Sequence, residues 1–219
     1  MTKISHAITG VHTQMTGTDS FMPPRGTTAQ RPTLTANEAG AIRSNSTLER
    51  IERYNGTSFR QVGIHGHFNS SHLADFSITT AVQAVPFNTN DIDSGTSISH
   101  STTVNNSRFT INDAGTYEFI FQPQVASLGN NTSNVYFWMR KNGTTAIANS
   151  GISYKVNHTG SSSVIVGAII TSLVANDYIE IMAQAGVNGE YLLDYIAGSG
   201  SGSTERPSVP SCIVSIKGW

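Results

Sequence analysis

His65 and His67, separated by one residue, are the side chains of this sequence best suited to holding a metal ion, and His72 follows nearby. Alternate residues of a β-strand point to the same side, so a strand here would place the two imidazoles together. Imidazole binds Fe, Zn, Ni and Cu. In a threefold assembly with this pair near the axis, six imidazoles would meet. The alternative is a surface or linker histidine pair that binds no metal, and we expect no other cofactor.

The remaining reactive residues show no catalytic pattern. Asp91 and Asp93 alternate as ligands in a Ca²⁺ loop do, but the distal bidentate glutamate of an EF-hand is missing, so we expect a polar turn. Cys212 is the only cysteine, which excludes an intrachain disulfide, and we expect it to be a small buried apolar residue. Because no nucleophile elbow or phosphate-binding loop is present, we predict that the protein is not an enzyme.

Composition narrows the possible partners. Only 12% of the 219 residues are charged and the net charge is −1, without a basic stripe, so nucleic acid is not an expected partner. The longest apolar run, residues 164–170, is far shorter than the ~20 residues of a membrane helix, so no membrane insertion is expected. The N-terminus lacks the apolar core of a secretion signal, so we expect the protein to be cytoplasmic where it is made.

The chain is predicted to be all-β. Apolar and β-branched residues alternate in short runs separated by turn residues, a pattern typical of a sandwich or jelly roll. The Asn142-Gly143 pair predicts a tight hairpin, and a single helical turn is expected within residues 35–40. The predicted strands lie within residues 76–87, 107–111, 116–125, 134–148, 162–174, 177–187, 189–197 and 211–219.

Several of these strands are apolar on both faces, whereas a strand of a monomeric sandwich has one polar face that is exposed to solvent. No helices are available to cover the second face, so we predict that another copy of the chain covers it. The alternative is a long loop folded over one face. The residues predicted for the core or for the interface between copies are Tyr117, Phe119, Phe121, Tyr136, Phe137, Trp138, Ile165 and Ile169.

We divide the chain into an attachment arm (residues 1–24), a β-hairpin collar (25–62), a linker (63–75) and a jelly-roll head (76–219). The collar has too few apolar residues to fold alone, since an isolated hairpin is marginal in water. Three copies around one axis would bury its apolar residues against each other.

The head resembles the trimeric jelly roll of complement globular heads and tumour-necrosis-factor-like cytokines. The resemblance rests on segments that occur in the family's order, and its most specific element is the Phe-Thr-x-x-x-Ala-Gly-Thr-Tyr pattern that begins at Phe109. The chain departs from the family at Asn176-Asp177, where Gly-Asp is frequent. The resemblance implies a ten-stranded jelly roll and a threefold homotrimer. The segments are residues 85–88, 109–121, 135–143, 174–183 and 211–219.

The collar is similar to a segment that recurs in bacteriophage tail fibres and other virion proteins. The matching phrases are residues 25–32 (RGTTAQRP), 39–45 and 52–59, and residues 46–51 (STLERI) are additional here. In such fibres, His-x-His pairs hold an octahedral iron, which the resemblance implies for His65 and His67. A secreted cytokine-like ligand is a third class, and the absent secretion signal disfavours it.

The two resemblances together imply a virion structural protein of a tailed phage, located in the virion and bound to other tail or capsid proteins. Arg25 and Arg31 are then predicted to dock the protein onto the particle, so removal of residues 1–32 should leave a trimeric head that no longer joins it. We expect a homotrimeric short fibre or knob that recognises the host surface. The alternative is a capsid decoration (cement) protein at threefold positions of the phage head.

Polar, glycine-rich loops are the predicted receptor contacts, because binding residues concentrate on loops. Their amides and hydroxyls would contact a host cell-surface glycan, and two tyrosines would offer stacking platforms. The alternative is plain solvated loops. The candidates are Asn130, Asn131, Asn157, Tyr191 and Tyr195.

Overall fold

Strands dominate the structure, a computed structural model that describes residues 23–62, 66–93, 97–129 and 133–218. Within these ranges the helical segments are three-residue 3₁₀ turns, including Ala36–Glu38 where a single turn was predicted. None of them is long and apolar enough to span a membrane. The chain divides into two compact units between Arg60 and Gln61. This boundary differs from the predicted ones, and from here the collar means the described residues of the first unit and the head means those of the second.

The collar is built on a small sheet whose strands follow the order β1-β2-β3-β4. Strands β2 and β3 form the predicted antiparallel hairpin, and β1 pairs with β2 in parallel. The additional residues 46–51 supply the turn and the start of β3. The Asn45 carboxamide oxygen holds this turn by accepting bonds from the amides of Thr47 and Leu48 at 3.0 and 3.2 Å. The strands are β1 (Arg25–Gly26), β2 (Ile42–Asn45), β3 (Arg50–Tyr54) and β4 (Phe59–Gln61).

The head is a β-sandwich, which confirms the all-β prediction. Its strands among the described residues number fifteen rather than ten, because runs predicted as one strand are interrupted. They are β5 (Gly66–His72), β6 (Phe76–Ile78), β7 (Gln83–Ala84), β8 (Thr89–Asp93), β9 (Ile98–Ser99), β10 (Phe109–Ile111), β11 (Gly115–Ser127), β12 (Val135–Lys141), β13 (Thr145–Ala146), β14 (Ile152–Tyr154), β15 (Ser162–Val164), β16 (Gly167–Leu173), β17 (Tyr178–Ala185), β18 (Tyr191–Leu193) and β19 (Cys212–Gly218).

Two sheets form the sandwich. The eight-stranded sheet has the order β6-β18-β11-β19-β5-β8, with β15 and β16 also paired to β11. The seven-stranded sheet has the order β13-β12-β17-β10-β9, with β14 on β12 and β7 on β17. Strands distant in sequence are neighbours, as in a jelly roll. The Asn142-Gly143 hairpin is confirmed: both residues have positive φ (53° and 73°), as a type I′ turn requires, between β12 and β13.

The core lies between the sheets and is filled by the inward residues of the alternating strands. In β11, Tyr117, Phe119 and Phe121 point inward and are at most 1% exposed. Phe137 does the same from β12 in the opposite sheet. The apolar alternation seen in the sequence therefore selects the residues that fill this core.

The predicted linker, residues 63–75, is wrong over most of its length. Residues Gly66–His72 form β5, which pairs along its whole length with β19 and buries Phe68 in the core. The error has a physical reason. One large apolar residue among polar and small ones gives no alternation, and the partner strand fixes this segment instead. The predicted polar turn at Asp91 and Asp93 is also a strand, β8, which pairs with β5.

Candidate functional site

A charged cluster occupies the interior of the collar. Glu52 is fully buried and its carboxylate forms an ion pair with Arg31, whose Nε lies 3.2 Å from Oε2. Arg43 and Arg50 approach the same carboxylate at 3.5 and 3.7 Å. The guanidinium groups of Arg31 and Arg43 lie 6.0 and 5.7 Å from the centre of the Phe59 ring, within cation–π range. The unit is therefore organised around an ion-pair network instead of an apolar core.

The Glu52 carboxyl is held in its ionised form. Burial by itself would raise its pKa, but hydrogen bonds from Arg31 and Asn45 and the positive charges of Arg31 and Arg50 outweigh burial, so the pKa lies below its ordinary value. A buried carboxylate with several cationic neighbours holds their side chains in place. The cluster is thus a structural element of the collar.

The hairpin turns Arg43 and Glu52 inward, and its outward face carries two isoleucines beside the exposed Arg53. Arg43 and Glu52 are cross-strand partners and both are buried. Ile42 and Ile51, on the opposite face, are 48% and 38% exposed. The expectation that the collar's apolar residues are not buried within one copy holds for these two, but Tyr54 is buried and its hydroxyl donates to the Leu34 carbonyl at 2.9 Å.

The predicted docking residues occupy different environments. Arg25 is exposed in the edge strand β1. Arg31 is engaged with Glu52 and its side chain is 30% exposed. The structure therefore gives Arg31 a role inside the collar, and docking by either arginine stays a prediction.

The head residues predicted for the core or for an interface separate into two groups. Six of them belong to the core: four are buried, and Ile165 and Ile169 are partly buried against it. Tyr136 and Trp138 instead lie on the outer face of β12 in the seven-stranded sheet, and Tyr136 is 40% exposed. The buried four are Tyr117, Phe119, Phe121 and Phe137.

An aliphatic surface lies along β15 and β16, at one side of the eight-stranded sheet. We define it as Val164, Val166, Ile170 and Val174, which are 57–62% exposed. Ile170 pairs across strands with Glu118 of β11, on the face opposite the core. Among the described residues, no loop buries these side chains. This is the uncovered second face that the sequence predicted.

An aromatic surface lies on the other sheet. Tyr136 pairs across strands with Gln184 of β17 on one side and Ser153 of β14 on the other. Trp138 follows two residues later, beside the fully buried Met182. Together with Ile147 and Ile152, these groups line an open concavity of about 460 Å³. None of the side chains that line it is charged.

An ion-pair network lies next along the same sheet. Arg140 donates to Glu180 from Nε and Nη2 at 3.1 and 2.9 Å, and Arg108 and Ser107 approach the other carboxylate oxygen at 3.4 and 3.2 Å. The Arg108 guanidinium also covers the Tyr178 ring at 4.5 Å. Two arginines share the single Glu180 carboxylate, so we interpret the network as a structural clamp between β10, β12 and β17.

The structure describes only one of the two histidines of the predicted metal site. His65 lies outside the described residues, and His67 lies on β5 with an exposed side chain. Among the residues described, no group of three or more His, Cys, Asp or Glu side chains is close enough to hold a metal. His72 is buried in the same strand, and burial lowers its pKa. A metal on a threefold axis stays a prediction.

Cys212 is buried, and burial raises the pKa of its thiol to about 12, as expected of an inert core thiol.

The predicted receptor residues are not brought together. Asn130 and Asn131 lie outside the described residues, Asn157 is exposed, and Tyr195 is partly buried. The prediction for Tyr191 is wrong, because β18 turns this ring into the core, where its hydroxyl donates to the Ser133 carbonyl at 2.7 Å. The residues around Tyr191 in the sequence include large apolar side chains on both faces of the strand, so the pattern did not show which face was inward.

The glycine-rich segment after β18 is a folded strap rather than a loose loop. Two antiparallel bridges join Ile196 to Val209 and Ser199 to Arg206. The Arg206 guanidinium also donates to the Ala197 carbonyl at 2.7 Å. Backbone pairing therefore fixes a segment whose composition suggests flexibility.

Comparison with known proteins gives distant similarities only. No family model and no curated protein matches the chain. Among solved structures, the chain is similar to the globular domain of zebrafish complement 1qA protein, at 16% identity over 69% of this chain and 94% of that chain, with a TM-score of 0.45. Eiger TNF from S. frugiperda is 8% identical over 70% and 90% of the two chains, with a TM-score of 0.45. Murine APRIL at pH 8.0 is 10% identical over 72% and 100%, with a TM-score of 0.46. At these values the chain is not assigned to a family.

Proposed function

We propose that this chain is a non-enzymatic structural protein of a bacteriophage particle. In this proposal it is a homotrimeric short fibre or knob whose head binds the host surface. The observation that carries the self-association is the exposed apolar residues of both units: Ile42 and Ile51 in the collar, and the aliphatic surface in the head. The virion location is supported by the resemblance of the collar phrases to phage fibres.

The collar structure explains the residues that make up those phrases. Arg31, Arg43 and Glu52 belong to the matching segments and form the buried ion-pair network. Phe59, the last matching residue, lies beneath two of the guanidinium groups. A sequence phrase whose polar residues build the interior of a small unit indicates a folded module, and this supports its use as a module in particle proteins.

Covering the aliphatic surface would contribute substantially to assembly. Fully burying an aliphatic side chain contributes about 1.5–3 kcal/mol. For four side chains that are 57–62% exposed, this gives on the order of 4–7 kcal/mol per copy. A trimer would also multiply weak contacts to a repetitive host surface by avidity.

The oligomeric state is the first test. Light scattering of the purified full chain should give about 70 kDa for three copies, against 23.4 kDa for one chain. Ile170→Asp should dissociate the assembly, because a buried unpaired charge is costly. Val104→Asp is the control, since Val104 is 69% exposed outside the aliphatic surface. A stable wild-type monomer would contradict the proposal.

A capsid decoration protein is the second candidate. Strand β4 ends at Gln61 and β5 begins at Gly66, so only four residues of sequence lie between them, too few for a fibre shaft. This favours a short clamp on a capsid surface. Copy number in purified particles, measured by quantitative mass spectrometry, separates the candidates: tens of copies indicate a fibre and hundreds indicate decoration. Absence from the particles would contradict both.

Docking has its own test. Removal of residues 1–23 leaves β1 and Arg31 in place, so the collar should stay folded while incorporation into particles is lost. Unchanged incorporation of this truncated chain would show that the arm does not dock the protein.

A further inference from the structure

We propose that Tyr136 and Trp138, with Gln184 and Ser153, form a binding platform for a neutral sugar on the outer face of the seven-stranded sheet. The inference deepens the proposed host-binding function and rests on it for the source of the ligand, a surface glycan. It places the glycan-binding residues on the face of a sheet instead of on the glycine-rich loops predicted from the sequence.

The two rings are placed by the periodicity of β12. Their inward neighbours, Val135, Phe137 and Met139, are fully buried, which turns Tyr136 and Trp138 outward on the same side. Residues i and i+2 of a strand are about 7 Å apart. The two side chains thus leave the strand on the same face, where Tyr136 is 40% exposed and Trp138 is partly exposed. Tyrosine and tryptophan combine a large apolar surface with a polar group at the edge and lose little conformational entropy on binding.

The hydrogen-bonding groups beside the rings are fixed in orientation. The Gln184 Nε2 donates to the Thr80 carbonyl at 2.8 Å, so its carboxamide oxygen keeps its capacity to accept a bond. The Ser153 hydroxyl oxygen accepts a bond from Asn134 Nδ2 at 2.8 Å, so its proton can be donated elsewhere. An acceptor and a donor on either side of Tyr136 suit a ligand rich in hydroxyl groups.

The lining selects the chemical class of the ligand. No charged side chain lines the concavity, so an acidic sugar would find no counter-ion within it. Arg140, two residues beyond Trp138 on β12, is paired with Glu180, which also pairs with Arg108. A pyranose has an apolar C–H face that packs on an aromatic ring and hydroxyls at its rim. A neutral hexose or N-acetylhexosamine unit fits this arrangement of rings, amide and hydroxyl.

A second copy of the chain is a weaker occupant for this surface. The aromatic surface has fewer exposed residues than the aliphatic surface on the other sheet, and they are more polar. The valine and isoleucine side chains of the aliphatic surface are 57–62% exposed. Self-association through the aliphatic surface leaves the aromatic surface open to a ligand.

The test uses the purified full chain on an array of neutral and acidic bacterial oligosaccharides, followed by calorimetric titration with the neutral oligosaccharide that gives the strongest signal. Wild-type protein should bind at least one neutral glycan. Tyr136→Ala and Trp138→Ala should each weaken binding at least tenfold, and Gln184→Ala severalfold. Tyr154→Ala is the matched control: it is an equally exposed tyrosine (40%) of the same sheet that does not line the concavity, and it should bind normally.

Two results would overturn the platform: no neutral glycan bound by the wild-type protein, or binding unchanged in both Tyr136→Ala and Trp138→Ala. Because Tyr136 is 40% exposed, its replacement should not disturb the core, so a folding defect of the tryptophan variant leaves the test intact.

Adsorption competition separates this inference from the proposed function. If wild-type protein blocks phage adsorption and Tyr136→Ala blocks it equally well, the platform is wrong and the host-binding function stands. If wild-type protein binds a neutral glycan through Tyr136 but does not block adsorption, the platform stands and the host-binding function is wrong.

Discussion

Replacing Glu52 by glutamine should loosen the collar more than any other single neutralisation in that unit. The carboxylate is the shared partner of Arg31, Arg43 and Arg50, and the last two side chains are only 6% and 11% exposed. Glutamine keeps the shape of the side chain but removes its charge. Leaving buried cations without their counter-charge costs about 3–5 kcal/mol. The change therefore amounts to a loss of local stability on the order of 10²–10⁴-fold, limited by the stability of the collar itself.

Hydrogen exchange of the full-length protein, read by mass spectrometry in peptides that cover residues 42–54, measures this loss directly. The amides of β2 and β3 exchange through local opening, so their protection follows the opening free energy. The control is Glu49→Gln, the same chemical change three residues earlier at an exposed position of the hairpin turn. Peptides from the head should exchange as in the wild type.

The pH dependence gives a second reading of the same residue. The pKa of Glu52 is lower in the folded collar than its ordinary value. A depressed folded-state pKa contributes stability above the unfolded-state pKa of about 4.3, and this contribution is lost as pH falls through the folded value. Wild-type collar protection should therefore fall as the pH drops below about 4. The Glu52→Gln variant lacks this contribution, so its protection should depend less on pH over that range.

Equal protection in Glu52→Gln and Glu49→Gln would refute the reasoning, because a buried shared counter-ion cannot be equivalent to an exposed carboxylate. A wild-type collar whose protection does not change between pH 6 and pH 3 would refute it independently.

Further predictions concern the head. Gly167→Ala should lower its stability by about 1–3 kcal/mol, or roughly 2–12 °C in melting temperature, because the added Cβ would collide with the Phe121 ring. Gly151→Ala is the control, since nothing lies near its added Cβ, and calorimetry that finds both variants equally stable would contradict the packing described. The Cys212 thiol, with a pKa raised to about 12, should not react with a thiol reagent at pH 8 in the native protein and should react once per chain after denaturation. Rapid native labelling would show that β19 opens.

Local patterns predicted much of the head. Residue alternation identified Tyr117, Phe119, Phe121 and Phe137 as inward, and all four are buried. The Asn-Gly pair located a hairpin, because the type I′ turn needs two residues that adopt positive φ at low cost. In each case the information lies within a few residues of sequence, which is why it can be read without the fold.

Features that depend on a distant partner were missed. Strand β5 has little strand character, and its pairing with β19, about 145 residues later, defines it. The direction of Tyr191 follows from the pairing of β18 with β6 and β11. The collar reverses the usual rule, because Glu52 pairs with three arginines in its interior while Ile42 and Ile51 remain outside.

The sequence by itself determined that the chain is all-β, that its strands carry more apolar surface than one copy buries, and that no catalytic set is apparent. Tertiary structure decided how that surplus is distributed. Residue alternation indicates that two residues share a face of a strand. It does not indicate which sheet the strand belongs to or which residues neighbour them across the sheet. The packing of the sandwich places the aliphatic residues of β15 and β16 on one sheet and Tyr136 and Trp138 on the other. This separation is the basis for proposing that one surface binds another copy and the other binds a sugar.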